Sequence, residues 1–280
     1  MYTHTPTSMP TIVIEAGHTE RNYWKDLWRY RELLGFLAWR DISVRYRQTI
    51  LGFAWVVLRP LLTMIVFTIV FGSLAGLSSG TVPYAAMVFA GMLPWQLFTT
   101  TLTDAGNSIV NNGGMISKVY FPRLLMPLSA ALVSLVDFLV AAVLLAITLA
   151  WYGVLPDWRI LALPFFILNV LMLSIGIGLW VAALNVRYRD FRFIVTFGLQ
   201  LGLYISPVGF YSAISPQQWR LLYSLNPMVG VIDGFRWSLL GDTTALYWPG
   251  TVISVLLSIA LLVSAVIHFR KTEKSFADDI

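Results

Sequence analysis

The stretch PLLTMIVFTIVFGSLAGLSSGTVPYAAMVFAGMLPWQLFTTTLT, residues 60–103, runs 44 residues without a charge and decides the fold class. A helix needs about 20 mostly apolar residues to cross the hydrocarbon core. Residues 60–103 therefore hold two, and Ser78, Ser79 and Gly80 ahead of Pro83 supply the turn between them. The pattern continues outward with uncharged intervals at 160–186, 193–219 and 243–269, and with 124–152, interrupted once by Asp137. These runs predict an all-α integral membrane protein with six transmembrane helices, near 52–78, 83–104, 124–152, 160–186, 193–212 and 244–269, inside one membrane domain spanning 50–270. The composition agrees: 12% of residues are charged, where a soluble domain carries roughly a quarter.

Much chemistry is excluded at once. Cysteine is absent, so disulfides, Cys-zinc sites and thiol nucleophiles cannot occur. His4, His18 and His268 lie near the ends, and no metal site or catalytic group is expected. No GxxxxGK[ST] phosphate loop is present, so ATP binding of that kind is not expected in this chain.

Residues 1–22 are polar, without the basic start, short apolar core and cleavage site of a signal peptide, and read as a disordered cytoplasmic leader. Residues 23–49 alternate aromatics with charges. On a helical wheel Trp24, Leu27, Trp28, Leu34, Ala38 and Ile42 share an arc, while Lys25, Arg29, Glu32, Arg40 and Arg47 face away. Arg31, Leu33 and Phe36 spoil the pattern. Such a helix lies in the headgroup plane or packs on a soluble partner. Residues 271–280 read as a cytoplasmic tail. Lys and Arg are retained on the cytoplasmic side of short loops. With both termini inside, sixteen of nineteen fall there, leaving Arg159, Arg220 and Arg236 outside. The net charge of +5 is thus an asymmetry across a membrane and gives no support to a nucleic-acid partner.

Between the fifth and sixth spans, 221–232 is apolar but too short to cross and is broken by Asn226 and Pro227. Two short helices re-entering the outer leaflet fit this pattern, as does a surface loop. Asp233 can pair with Arg236 three residues on. Intramembrane charge costs about 3 kcal/mol at a helix centre, so Asp137 calls for a hydrogen-bonding partner within the protein or a place on a substrate path. Arg59, before Pro60, is near enough to the inner face to snorkel. Trp95, Phe98, Trp180, Tyr204, Phe210 and Tyr211 lie inside spans or beside the outer hairpin. They suit either packing or a conduit in which uncharged aromatic faces stack on sugar rings.

Two cytoplasmic loops, GGMISKVYFPRLLMP (113–127) and NVRYRDFRF (185–193), are too short for a catalytic domain but shaped to dock in a groove of a cytosolic partner. Together with DISVRYRQTILGFAWVVLRPLL (41–62), FAGMLPWQLF (89–98) and YSLNPMVGVIDGFRWSLLG (223–241), they resemble the membrane subunits of ABC-2 type polysaccharide exporters. Within that family the resemblance is to O-antigen export permeases of the Wzm type, with capsule and teichoic acid permeases as relatives.

The resemblance implies a homodimer in the bacterial inner membrane, seated on two copies of a cytosolic, Wzt-like ATPase that binds ATP and Mg. The cargo it implies is an undecaprenyl-diphosphate-linked polysaccharide exported to the periplasm. It also implies that Ile116, Ser117, Lys118, Val119, Tyr120, Phe121, Pro122 and Arg123, with Arg187, Tyr188, Arg189 and Asp190, couple to the ATPase. Arg45, Arg47 and Arg59 become candidates for the lipid diphosphate, and Trp219, Asn226, Pro227, Asp233 and Arg236 for a periplasmic gate. A membrane transferase acting on lipid-linked sugars is the competing class, and it would need paired carboxylates where the external acids Asp157, Asp233 and Asp242 are sparse. An ion-coupled secondary transporter would need more than one isolated intramembrane acid and two related halves.

Overall fold

The computed structural model describes residues 23–47, 52–76, 82–116, 118–188, 190–214, 216–241, 246–273 and 276, excepting the side chains of 47 and 52–56. The leader 1–22, Ser117, Arg189 and most of the tail lie outside the described residues. Helices α1 (Tyr23–Arg29) and α2 (Arg31–Arg47) precede α3 (Gly52–Phe67), which continues as a π-helical segment Thr68–Leu74. Then come α4 (Tyr84–Asn111), the single turn α5 (Gly113–Ile116), α6 (Leu125–Trp151), α7 (Leu163–Arg187) with a 3-10 lead-in Trp158–Ala162, and α8 (Phe191–Ile205). A 3-10 turn Ser212–Ile214, α9 (Gln217–Tyr223), α10 (Pro227–Leu240) and α11 (Trp248–Thr272) complete the chain. Among the described residues no strand occurs.

Five helical segments are long and apolar enough to cross a membrane: Val57–Leu74, Tyr84–Asn111, Leu125–Trp151, Trp158–Arg187 and Trp248–Thr272. The predicted fifth span, 193–212, instead ends at Ile205. Fifteen residues at 1.5 Å each reach about 22 Å, short of the roughly 30 Å hydrocarbon core. The cause is local. Ser206 is extended, with φ −82° and ψ 149°, the conformation that a following proline, here Pro207, imposes. The second span departs the other way, continuing past Asp104 to Asn111, so Asp104 belongs to the helix and not to a loop.

Helix α4 is the hub. It is buried along most of its length and packs against α6, α7, α10 and α3. Small residues set these approaches: a Cβ on Gly178 would lie 2.9 Å from the Ala105 methyl, and one on Gly176 would lie 2.9 Å from the Leu262 backbone nitrogen. Membrane helices rely on such close packing because lipid offers no hydrophobic penalty to separation.

The N-terminal rod is parted only at Tyr30, across which Tyr30 donates to the Asp26 carbonyl and Leu34 to the Tyr30 carbonyl. Of the predicted arc Ala38 is buried, together with Leu37 and Tyr23 outside it, while Trp24 and Trp28 of the arc are exposed, as are Phe36 and Trp39. Leu37 shares one cluster with Leu125 and Met126 at the start of α6, along which α2 lies. Helix α10 starts where Asn226 caps the Met228 N–H at 3.1 Å, with Pro227 at the first helical position, and it is largely buried against α11 and α4.

Gly176→Ala should force α7 away from the α11 backbone and lower stability by about 1–3 kcal/mol. Gly198→Ala, on open space, should be neutral or slightly stabilising. Thermal unfolding in detergent compares them, and equal melting temperatures for the two would contradict the packing argument.

Candidate functional site: a cavity between the helices and a loop junction

A cavity of about 630 Å³ opens between α3, α4, α6 and α8. Its α4 wall carries Trp95, Gln96, Thr99, Thr100, Thr103 and Asp104, spaced so that one helical face looks inward, and Thr196 and Gln200 answer from α8. Thr100 donates to the Gln96 carbonyl at 2.8 Å and Thr196 to the Arg192 carbonyl at 2.9 Å, so their oxygens present lone pairs to the cavity. Trp95 forms the aromatic part of the wall, tilted on Phe98 with ring centroids 5.5 Å apart.

The charges in this cavity are organised by Arg45, which reaches from α2 to Asp104 of α4 at 2.7 Å and Asp137 of α6 at 2.5 Å. Tyr46 donates to the other Asp137 oxygen at 2.5 Å. Burial by itself would loosen the Arg45 proton. The hydrogen bonds and charges of the two carboxylates more than offset this and hold the guanidinium ionised above its ordinary range. Arg59 also lines the cavity, and among the described residues its side chain has no hydrogen-bond or ion-pair partner. Arg47 closes α2, and its side chain lies outside the described part.

The aromatic conduit predicted from sequence is not assembled as expected. Trp95 lines the cavity and Phe98 backs it. Trp180 stacks on His268 at 4.1 Å and donates to Ser264, between α7 and α11. Tyr204 is exposed and absent from the lining, and Phe210 and Tyr211 serve the hairpin that follows α8. There Arg236, fully buried, donates to the carbonyls of Val208 and Phe210 at 2.7 Å and of Met87 at 3.2 Å, with Tyr211 beneath it. Asp233 accepts from Ser212 at 2.5 Å instead of pairing side by side with Arg236. Asn226 also donates to Ser206 at 3.0 Å, and Trp219 is exposed.

The loop between α4 and α6, predicted to be cytoplasmic, is divided. Val119 and Tyr120 are 56% and 50% exposed beside an exposed Lys118, whereas Phe121 is 3% exposed and Ile116 and Pro122 are buried. Phe121, predicted as a docking aromatic, is core because it packs in one cluster with Leu37, Leu124, Phe269 and Phe276. Arg123 turns inward to Glu273, whose Oε1 accepts the Arg123 backbone N–H at 2.7 Å and whose carbonyl accepts the guanidinium. Tyr23 donates to Oε2 at 3.1 Å. In the second loop Arg187, Tyr188 and Asp190 are exposed. That loop is tied elsewhere, through Asn185 to the Gly106 carbonyl at 2.9 Å and Arg192 to Asn107 at 3.1 Å.

Sequence reasoning missed Gln96, Thr100, Gln200 and Glu273. The first three were legible as polar positions recurring every three to four residues in apolar helices; Glu273 had no local signal. Burial pushes its carboxyl above the ordinary range, while the bonds from Arg123 and Tyr23 and the charges of Arg123 and Arg270 pull it back in part. Burial likewise raises the Tyr23 phenol. Among the described residues no group of three or more His, Asp and Glu is placed to hold a metal ion.

Comparison with known proteins adds the context of this architecture. Residues 32–240 match the family described as ABC-2 type transporter. The chain is 29% identical over 258 residues to the O-antigen export system permease protein RfbA of Myxococcus xanthus, covering 91% of this chain and 98% of that protein. It is 26% identical over 232 residues to RfbA of Klebsiella pneumoniae, covering 80% and 88%. It is 22% identical over 224 residues to the capsule polysaccharide export inner-membrane protein CtrC of Neisseria meningitidis, covering 78% and 82%.

Breaking one partner of an ion cluster withdrawn from water costs more than removing all of it, and the Arg45 cluster is part-buried. Arg45→Met alone should therefore lower the melting temperature more than Arg45→Met combined with Asp104→Asn and Asp137→Asn; a single variant as stable as wild type would contradict the cluster. The Glu273 carboxyl is raised above 4.5, so the folded state keeps a proton that the unfolded state loses. Stability should fall as pH rises from about 4.5 through the raised value and level off above it. The melting-temperature advantage of wild type over Glu273→Gln, followed across that interval, should shrink with rising pH.

Proposed function

Because the chain belongs to the ABC-2 type transporter family, we propose that it is the membrane permease of a polysaccharide exporter of the O-antigen or capsule class. The observation that carries this reading is the cavity wall. Hydroxyls and amides from Gln96, Thr99, Thr100, Thr196 and Gln200 surround a tryptophan face, and the two arginines there are balanced by two aspartates. A sugar polymer is uncharged or sparsely charged, offers hydroxyls everywhere and stacks on indole. A wall of weak, neutral contacts recognises such a chain without holding it, and passage requires both entry and release.

The finer reading follows from the resemblance and from this wall. Two copies of the chain form the pathway in the bacterial inner membrane, with both termini cytoplasmic and α8 with the turn after it as the fifth of six crossings. Each copy engages a separate ATPase that supplies ATP and Mg, through the exposed Lys118, Val119 and Tyr120 and the second loop at Arg187, Tyr188 and Asp190. The cargo is an undecaprenyl-diphosphate-linked polysaccharide moved to the periplasm. Arg59, with no carboxylate partner among the described residues, meets the diphosphate, with Arg45 held behind it. The hairpin α9–α10 lies at the periplasmic end as a gate.

In cells lacking the native permease, Gln96→Leu with Gln200→Leu should lower surface polysaccharide by about tenfold, the equivalent of roughly 1.4 kcal/mol, while expression and association with the ATPase stay normal. Normal polymer amount and length would refute the cavity as the conduit.

A further inference from the structure

Three separated segments converge on one carboxylate. Glu273, immediately after α11, accepts from the backbone of Arg123 at the inner end of the first cytoplasmic loop and from the hydroxyl of Tyr23, the first residue of α1. Two cations close the junction. Arg270 lies over the rings of Tyr23 and Trp24 at 4.5 and 5.8 Å, and Arg123 lies over Phe276 at 5.9 Å. Phe276 is buried edge-on against Phe269 with centroids 5.3 Å apart. A carboxylate with both oxygens engaged in a largely apolar cluster is held in one geometry, because releasing either bond leaves a desolvated charge short of a donor.

The position of this junction relative to the rest of the molecule gives it a consequence. On its outer side lies the exposed half of the loop, Lys118 to Tyr120. On its inner side begins the α1–α2 rod, nearly continuous across Tyr30. Tyr23 stands at one end of the rod and Arg45 lies twenty-two residues on, about 33 Å along a helix. At that far end Arg45 is fixed to Asp104 and Asp137 in the cavity wall. The rod is therefore pinned at both ends, once to the loop through Glu273 and once to the cavity through Arg45.

We propose that Glu273 is a positioning residue that makes the first cytoplasmic loop and the α1–α2 rod move as one, so that a partner pressing on Lys118 to Tyr120 displaces Arg45 at the cavity. The proposal rests on the export reading for the identity of the partner as an ATPase, but the mechanical link belongs to this chain alone. Arg123 acts within the junction; the partner-facing residues are those before it. Rigid elements with discrete anchor points carry coupling over such distances, and non-additivity between the anchors is its signature.

Two measurements test it. With the permease and its ATPase in proteoliposomes, Tyr23→Phe and Glu273→Ala should each lower polysaccharide moved per ATP hydrolysed by about fivefold or more, with the complex still formed. The double variant should be no worse than the worse single one. Glu273→Gln keeps an acceptor for Arg123 and a polar partner for Tyr23 and should restore most of the ratio. A ratio within about twofold of wild type in both single variants, or additive losses in the double, overturns the proposal. The second measurement needs no partner. The sequence has no cysteine, so cysteines introduced at the exposed Val119 and Trp39 take spin labels cleanly. Tyr23→Phe or Glu273→Ala should broaden the distance distribution between them, and an unchanged narrow distribution in both overturns the link. If wild type neither binds an ATPase nor exports, the export reading fails, and the label pair alone decides the role of Glu273.

Discussion

The ion cluster of Arg45 with Asp104 and Asp137 is the constraint on which the membrane domain depends. Asp137 sits within a helix otherwise uncharged over 27 residues, where an unpaired carboxylate is costly. Its cation comes from a different helix 92 positions earlier, and Tyr46 takes its second oxygen. Asp104 is met in the same way on α4. The spans α4 and α6 thus reach their stable form only with α2 docked, and the N-terminal rod is part of the membrane domain's fold as well as an attachment to it. The same pairing removes Arg45 from the pool of free cations and leaves Arg59 to face the cavity.

Arg236 answers a related problem at the other end. Pro207 breaks α8 early, and broken helices in a membrane protein must find new partners for their backbone groups. The Val208 and Phe210 carbonyls beyond the break are taken by the Arg236 guanidinium, which at the same time reaches the Met87 carbonyl on α4. The hairpin helix that carries Arg236 is thereby fixed to the hub by the defect it repairs. A guanidinium suits this role because its planar fork reaches several carbonyls at once.

What was legible in the sequence was what is local. Apolar run length placed four of the spans within a few residues, because crossing a bilayer is a property of consecutive residues, and Asn226–Pro227 marked the start of α10 for the same reason. Asp104 was read as the end of a helix because a charge ends an apolar run, yet its partner lies 59 positions away and lets the helix continue to Asn111. Aromatic content identified Trp95 but could not separate it from Trp180, whose fate is decided by His268 and Ser264 on α11. Glu273 looked like one charge among several in a polar tail. Its partners are 150 and 250 positions away, and no periodicity carries such a pairing.

The division of the loop between α4 and α6 follows from the same logic of pairing. Positive-inside topology accounts for Lys118 and Arg123 alike, yet the two residues have opposite environments. Lys118 is exposed next to Val119 and Tyr120, an apolar and an aromatic side chain that are themselves half exposed. Arg123 is drawn inward because Glu273 is buried there and needs donors. A loop anchored at one end and apolar at the other transmits a push better than it absorbs one. Beyond it the rod ends at an ion cluster whose members also line the cavity, where Arg59 is the one further charge among the described lining residues. Displacing Arg45 would rearrange three of those four charges, which makes that cluster the economical place for the proposed control of passage.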